Sequence, residues 1–374
     1  MTNKKKILLV SSAFYPELSP RSFRATELAK EFYRQGHDVR VISRFRDYDY
    51  TEFLEEFPVT FKMWDKPVFP PVPVFKQKPF SLLNRVLSRL LSILFEYPAI
   101  EEMIKVKEIL KHENGYDLMI SFAVPYPVHW GVAHSRSENH PIANTWVADC
   151  GDPYMFARLD TFKKPFYFRF PEVNFCRKCD FIAIPVKDMQ VQFYPEFIPK
   201  MRIIPQGLDF SQIRLFEGNI NIGKPVFIFA GTIIPGKRDI KQLMDFLTSL
   251  KLNFLFIIYT NQRDLFSKYK LSLGDKLELR GYIERLSLIY EMSKADFLVN
   301  VDTVLDNNSH VEAVPSKIID YALTKRPILN ISSAYLDKEM VLEFLNTDYS
   351  RQRVVDKSIY DIRKVSLQFL DLIN

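Results

Sequence analysis

The sequence predicts an α/β chain of two doubly wound units, each a parallel sheet covered by helices. Three observations carry that prediction. Apolar runs of strand length alternate with amphipathic runs of helix length. The alternation lapses once into polar, glycine-containing sequence and then restarts. Finally, 374 residues with 47% hydrophobic content exceed one usual domain and suffice for two cores.

In the first half, strands are expected at 7–11, 38–43, 118–122, 143–148, 181–184 and 202–204, with helices near 21–35, 82–112 and 187–194. Residues 205–224, with Gln206-Gly207-Leu208-Asp209 and then Gly218 to Gly223, read as a linker. Strands follow at 226–230, 254–259, 276–279, 297–301 and 327–331, and helices at 238–250, 286–293, 316–324 and 336–344. The expected domains are therefore 1–208 and 209–354, with a C-terminal helix within 355–374 packing back on the first. Open parallel sheets bind ligands beyond the carboxyl ends of their strands, where helix N-termini present positive dipoles. Two such units facing each other are expected to trap a diphosphate in the cleft between them.

Composition narrows the function classes. Apolar runs such as 254–259 and 90–95 fall well short of the roughly 20 residues of a spanning helix. The basic start runs straight into a strand with no cleavage site, so no signal peptide is expected. Cys150, Cys176 and Cys179 cannot all pair, and the lone Cys176-x-x-Cys179 lacks the second pair or histidines of a zinc site, so a reducing cytoplasm and no metal are expected. A net charge of +6 is modest for this length and gives no reason to expect a nucleic-acid partner. Residues 62–89 are locally basic and aromatic and run into an apolar helical stretch at 82–95; that mixture suits an anionic bilayer surface or a lipid-linked acceptor, and equally an ordinary loop and core helix.

Three segments carry the chemistry. In Glu312-Ala-Val-Pro315-Ser316-Lys317-Ile-Ile-Asp320, Pro315 favours a helix start at Ser316. Glu312 then lies in the loop before the helix, where a carboxylate accepts hydrogen bonds from sugar hydroxyls, and the free amides near Ser316 and Lys317 suit a diphosphate. In Phe229-Ala-Gly231-Thr232-Ile-Ile-Pro-Gly-Lys237-Arg238, a strand ends in a glycine turn followed by two cations that can neutralise a leaving diphosphate. In the first half, His129 and the run Trp146-Val-Ala-Asp149-Cys-Gly151-Asp152-Pro-Tyr154 follow predicted strands, which puts His129, Asp149 and Asp152 on the acceptor side, with the imidazole able to bond a donor sugar hydroxyl.

These segments resemble glycosyltransferase family 4. The Glu312 passage is similar to its E-x7-E region, with Asp320 in place of the second Glu and the V-P-S-K helix start of one branch. The Gly231 passage is similar to G-R-L-x-x-x-K-G, with Thr232 and Arg238 at two of its positions. The Trp146 run resembles W-x-A-D-F-R-D-P-W, with Gly151 where that pattern has Arg. Ser19-Pro20-Arg21-Ser22 stands where many members carry Gly-Gly, which makes Ser19 and Arg21 acceptor-side candidates, and Ile204-Pro205-Gln206-Gly207-Leu208-Asp209 is similar to the family's hinge.

The resemblance implies a GT-B fold and retaining, metal-independent transfer from a UDP- or GDP-linked sugar to a glycan or lipid-linked acceptor. It assigns Glu312 to the donor sugar, Asp320 to the ribose, and Lys237 and Arg238 to the phosphates. No cofactor is implied. Two alternatives share the architecture, a nucleotide-sugar 2-epimerase and a non-catalytic binding scaffold. A nicotinamide dehydrogenase is disfavoured because neither first βα turn carries G-x-G-x-x-G, and Asp47-Tyr48-Asp49 has a D-x-D form that reads as coincidence.

Overall fold

The computed structural model describes residues 4–70, 81–158, 162–218, 223–302 and 316–373. They belong to two compact units, Met1–Leu208 with Tyr360–Asn374, and Asp209–Ile359.

The first unit is built on seven parallel strands: β1 (Lys6–Ser11), β2 (Asp38–Ser43), β3 (Thr60–Met63), β4 (Tyr116–Ala123), β5 (Ala143–Cys150), β6 (Phe181–Ile184) and β7 (Met201–Ile203). Their order is β3-β2-β1-β4-β5-β6-β7, so the winding reverses between β1 and β4. Helices α1 (Pro20–Arg34), α2 (Thr51–Glu56), α3 (Ser81–Phe95), α4 (Glu101–Leu110), α5 (Pro127–Ser135) and α6 (Arg169–Lys178) connect them. Near-continuous apolar strands such as Ile7–Val10 are buried on both faces, as parallel sheets require. One core packs Val106, Leu110, Trp130 and Phe175 against the sheet, and the other packs Leu28, Phe32 and Val365.

The second unit has five parallel strands, β8 (Val226–Ala230), β9 (Leu255–Tyr259), β10 (Leu277–Arg280), β11 (Phe297–Asp302) and β12 (Ile328–Ser332), in the order β10-β9-β8-β11-β12. Its helices are α7 (Lys241–Ser249), α8 (Ser267–Leu273), α9 (Arg285–Met292), α10 (Ser316–Leu323) and α11 (Lys338–Leu345). Phe227, stacked on Phe256 and Phe297 at 4.4 and 4.7 Å, centres its core. The chain then supplies the first unit with α12 (Ile362–Leu370), where Leu208 N–H donates to Tyr360 O at 2.8 Å and Gln35 Nε2 to Ser366 Oγ at 2.6 Å.

Three expectations need correction. The helix expected over 82–112 is two, α3 and α4, because Glu96 adopts a positive φ of 51° and Pro98 cannot continue a helix. The helix expected at 187–194 is a pair of 3₁₀ turns, Lys187–Gln192 and Pro195–Lys200, the second interrupted by Pro199. Strand β3 went unread: it is a half-buried edge strand of four residues.

Candidate functional site: the crevice between β8 and β11

The winding of the second sheet reverses between β8 and β11, the switch point at which open α/β sheets take ligands. The two strands pair at Phe227↔Phe297 and Ile228↔Leu298. Beyond that pair a cavity of about 240 Å3 opens, lined by Phe229 to Thr232 from β8 and its turn, by Val299 to Val301 from β11, and by Arg238, Lys317 and Tyr321. A side chain at position 231 is excluded on one side, since its Cβ would lie 2.8 Å from the Phe229 ring.

The turn that carries the cation is anchored from two directions. Gln262 accepts from Ile233 N–H at 2.7 Å and donates to Ile233 O at 3.1 Å. Ser333 Oγ accepts from Asp239 N–H at 2.8 Å and donates to Lys237 O at 3.2 Å. Arg238 is thereby held half-buried in the cavity wall; burial lowers its pKa from the usual guanidinium value. Lys317, on the first turn of α10, is also lowered by burial, with Asp320 opposing and a smaller repulsion from Arg238 adding to it. Among the described residues neither cation has an ion-pair or hydrogen-bond partner. Two desolvated, mutually repelling positive groups in one small cavity call for an anion.

Two residues that sequence reasoning missed shape the floor. Tyr321 Oη accepts from Ala230 N–H at 2.9 Å and donates to Ala230 O at 3.3 Å, fastening α10 to the end of β8. Asn300 donates to Asn330 Oδ1 at 2.6 Å, Asn330 donates to Asp302 at 2.6 Å, and Arg353 closes the network on Asp302 at 2.7 Å. A Tyr on a helix and an Asn within an apolar strand give no spacing signal.

The other candidates in this unit fare unequally. Thr232 is exposed at the rim, and Lys237 does not line the cavity. Asp320 is buried, its carboxyl pushed up by desolvation and pulled down by Arg285, which donates from Nε at 2.9 Å and from a terminal nitrogen at 2.5 Å. It does not line the cavity either, so its carboxylate is committed to Arg285 rather than displayed to a ribose. Ser316 opens α10, while Glu312 and Pro315 lie outside the described residues.

In the first unit the structure corrects two readings. His129 is fully buried: Trp146 Nε1 donates to Ser121 Oγ at 2.8 Å, leaving the Ser121 hydroxyl to donate to Nδ1 at 2.8 Å, and Cys150 Sγ lies 3.6 Å from Nε2. Burial drives its pKa down to about 3, so it is a neutral core histidine with no reach to a sugar. Asp149, 1% exposed, accepts from Arg24 at 2.7 Å; Arg24 also donates to Pro205 O at 2.6 Å and Ile204 O at 3.0 Å. That carboxylate is structural. Asp152 is exposed and pairs with Arg21, and Ser19 caps α1 by accepting from Ser22 N–H at 3.2 Å. The Arg21 guanidinium fills the space over Gly151, where a Cβ would lie 1.4 Å from it. Cys176 and Cys179 are buried thiols. Among the described residues, no group of three or more His, Cys, Asp and Glu could hold a metal ion, and no helix is long and apolar enough to cross a membrane.

No family model matches the chain, and no curated protein matches it in sequence. Solved structures do resemble it in fold. A glycosyltransferase from Rickettsia africae is 12% identical with a TM-score of 0.58, covering 100% of this chain and 95% of its own. Anabaena Alr3699/HepE in complex with UDP is 12% identical with a TM-score of 0.57, over 99% of this chain and 96% of its own. A putative UDP-N-acetylglucosamine 2-epimerase from Listeria monocytogenes is 10% identical with a TM-score of 0.55, over 98% of this chain and 95% of its own. At such identities the likeness speaks for architecture alone, and with the two parallel sheets it establishes that this chain has the GT-B fold, two Rossmann-like units in one polypeptide.

Proposed function

We propose that this chain is a glycosyltransferase that moves a sugar from a UDP- or GDP-linked donor to a glycan or lipid-linked acceptor, with retention at the anomeric carbon and without a metal, in cytoplasmic assembly of a surface polysaccharide. The observation that carries the proposal is the couple Arg238 and Lys317 in the β8–β11 crevice, without an ion-pair partner among the described residues. A nucleoside diphosphate gathers negative charge as its bond to the sugar breaks, and cations already desolvated and fixed stabilise that charge without reorganisation. The amides that open α10 add their dipole. As the bond from the anomeric carbon to the phosphate oxygen breaks, the acceptor oxygen bonds to the same face and its proton passes to the departing phosphate. Retention, freedom from metal and the donor-sugar role of Glu312 rest on the resemblance in sequence.

The test is thermal unfolding with UDP, GDP and their sugars. One nucleotide should raise the melting temperature, by the equivalent of ~2.7 kcal/mol at a hundredfold excess over Kd, and Arg238→Ala should sharply reduce the shift. A Glu312→Ala protein should keep most of the nucleotide's effect while losing that of the sugar. If no nucleotide stabilises the protein, the proposal fails. An epimerase, favoured by the Listeria neighbour, would convert the donor with no acceptor present, whereas a scaffold would turn over nothing.

Membrane contact has support of its own. Val86, Leu87, Leu90 and Leu94 are exposed apolar residues of α3, Arg89 lies over Phe162 at 5.8 Å, and Phe166 and Phe170 are exposed as well. Aromatics with interleaved cations suit an anionic bilayer surface. Sedimentation with vesicles containing anionic lipid, weakened by Leu90→Glu, would support that contact.

A further inference from the structure

The first unit holds a second cavity, of about 260 Å3, lined by none of the candidate site residues placed above, although Trp64, Asp65, Pro67 and Phe69 belong to the basic, aromatic stretch 62–89. Strand register fixes its place. Ser11, Ser43 and Met63 lie in one row across β1, β2 and β3. Ser12, Arg44 and Trp64 are therefore the next residues at the carboxyl ends of three adjacent strands, and the first turn of α4 closes the other side with Glu101 and Glu102.

The two acids are used differently. Glu101 accepts from the backbone N–H groups of Val68 at 2.6 Å and Phe69 at 2.9 Å, which pins the chain after β3 as a wall. Glu102 accepts from Ser12 Oγ at 2.9 Å through Oε1, with Arg44 3.6 Å from the same oxygen. Its other oxygen, Oε2, is buried with no hydrogen-bond partner among the described residues, although the side chain lines the cavity and the residue is 5% exposed. Buried polar atoms are rarely left unpaired, because the desolvation cost is then not offset.

The remaining walls are flat and apolar: Trp64, Pro67, Pro98 and Phe69, the last stacked on Tyr97 at 5.7 Å. The lining carries two basic residues, Arg44 and Lys105, and three acidic ones, Asp65, Glu101 and Glu102, with burial pushing the Glu102 carboxyl up to about 7. A site with nearly balanced charge, apolar faces and one unpaired carboxyl oxygen suits an uncharged ligand with both C–H faces and hydroxyls. We propose that this cavity binds one neutral sugar ring, its C–H face against Trp64 and Phe69 and one hydroxyl hydrogen-bonded to Glu102 Oε2. Identifying that ring as part of the acceptor rests on the transferase reading; its binding does not.

Saturation-transfer NMR on the full chain tests this, with methyl glucoside and methyl galactoside as neutral probes and glucuronate and glucose 6-phosphate as charged ones. A neutral probe should bind with Kd on the order of 1–10 mM, with transfer strongest at the ring C–H protons. Glu102→Ala and Phe69→Ala should each weaken it about tenfold, or ~1.4 kcal/mol, and Arg238→Ala should leave it unchanged while weakening nucleotide binding. Phe69 is only half-buried, so its variant decides the matter if Glu102→Ala fails to fold. Binding of the charged probes as tight as the neutral ones, unaltered binding in a folded variant, or no binding of either neutral probe would each overturn the proposal. A protein that binds a neutral sugar but no nucleotide would keep this site and lose the transferase reading.

Discussion

At the carboxyl ends of β8 and β11, Arg238 and Lys317 sit half-buried with no ion-pair partner among the described residues. At the carboxyl end of β5, Asp149 is closed off by Arg24, and on α5, which follows β4, His129 is closed off by Ser121. Both regions occupy the edge at which such sheets bind ligands, and both offered charged or titratable residues in suggestive sequence runs. The difference lies in satisfaction. Where the fold completes a polar group's bonds internally, the group holds the fold together; where it leaves a desolvated charge open, a ligand completes it.

Breaking the internally completed pair gives the largest effect expected. Asp149→Ala leaves the Arg24 charge buried, and should cost about 3–5 kcal/mol of stability in denaturant unfolding; a fully stable but inactive Asp149→Ala protein would undo the contrast drawn here. Glu102 comes next. Its carboxyl has a folded pKa raised to about 7 against 4.5 when free, so its contribution to stability is complete below about pH 4.5 and is lost as pH rises through about 7. At 1.36 kcal/mol per unit the whole change is roughly 3 kcal/mol. Glu102→Gln should therefore match the natural protein at low pH and exceed it in melting temperature above neutrality.

In the open crevice the order of effects reverses. Arg238→Ala and Lys317→Ala should each weaken nucleotide binding by about 1.5–3 kcal/mol, the worth of a charge-assisted bond. Without ligand they should leave stability unchanged or slightly raised, since a desolvated, repelled charge is removed. Equal losses of apo stability would make these cations structural after all. Lys237→Ala should be mildest, about twofold in affinity by calorimetry, because its side chain stays off the cavity wall.

Much of this architecture was legible in the residues. The apolar runs of the second unit mark all five of its strands because a parallel sheet buried on both faces leaves little room for polar residues. Edge strand β3 escaped because half its surface faces away from any core, and the α3–α4 break hid in a stretch whose apolar pattern continues past Pro98. In the crevice, Gly231, Arg238 and Lys317 were readable from a strand that stops in a turn and a helix that starts after proline. Tyr321 and Asn300 were not, since their partners lie 91 and 30 residues away. Asp149 and His129 misled for another reason: sequence order places them just after strands, but Arg24, 125 residues away, closes the bonding of Asp149, and full burial against Ser121 closes that of His129.

The guanidinium of Arg21 occupies the volume that any side chain at position 151 would need, and it meets the carboxylate of the neighbouring Asp152. Positions 21 and 151 thus behave as one mutational unit: enlarging the second evicts the first, and trimming the first opens a void that the second can fill. Through such exchanges a positive group can migrate from a strand to a helix over evolutionary drift while staying put in space, and a residue-by-residue alignment would score that as two unrelated substitutions.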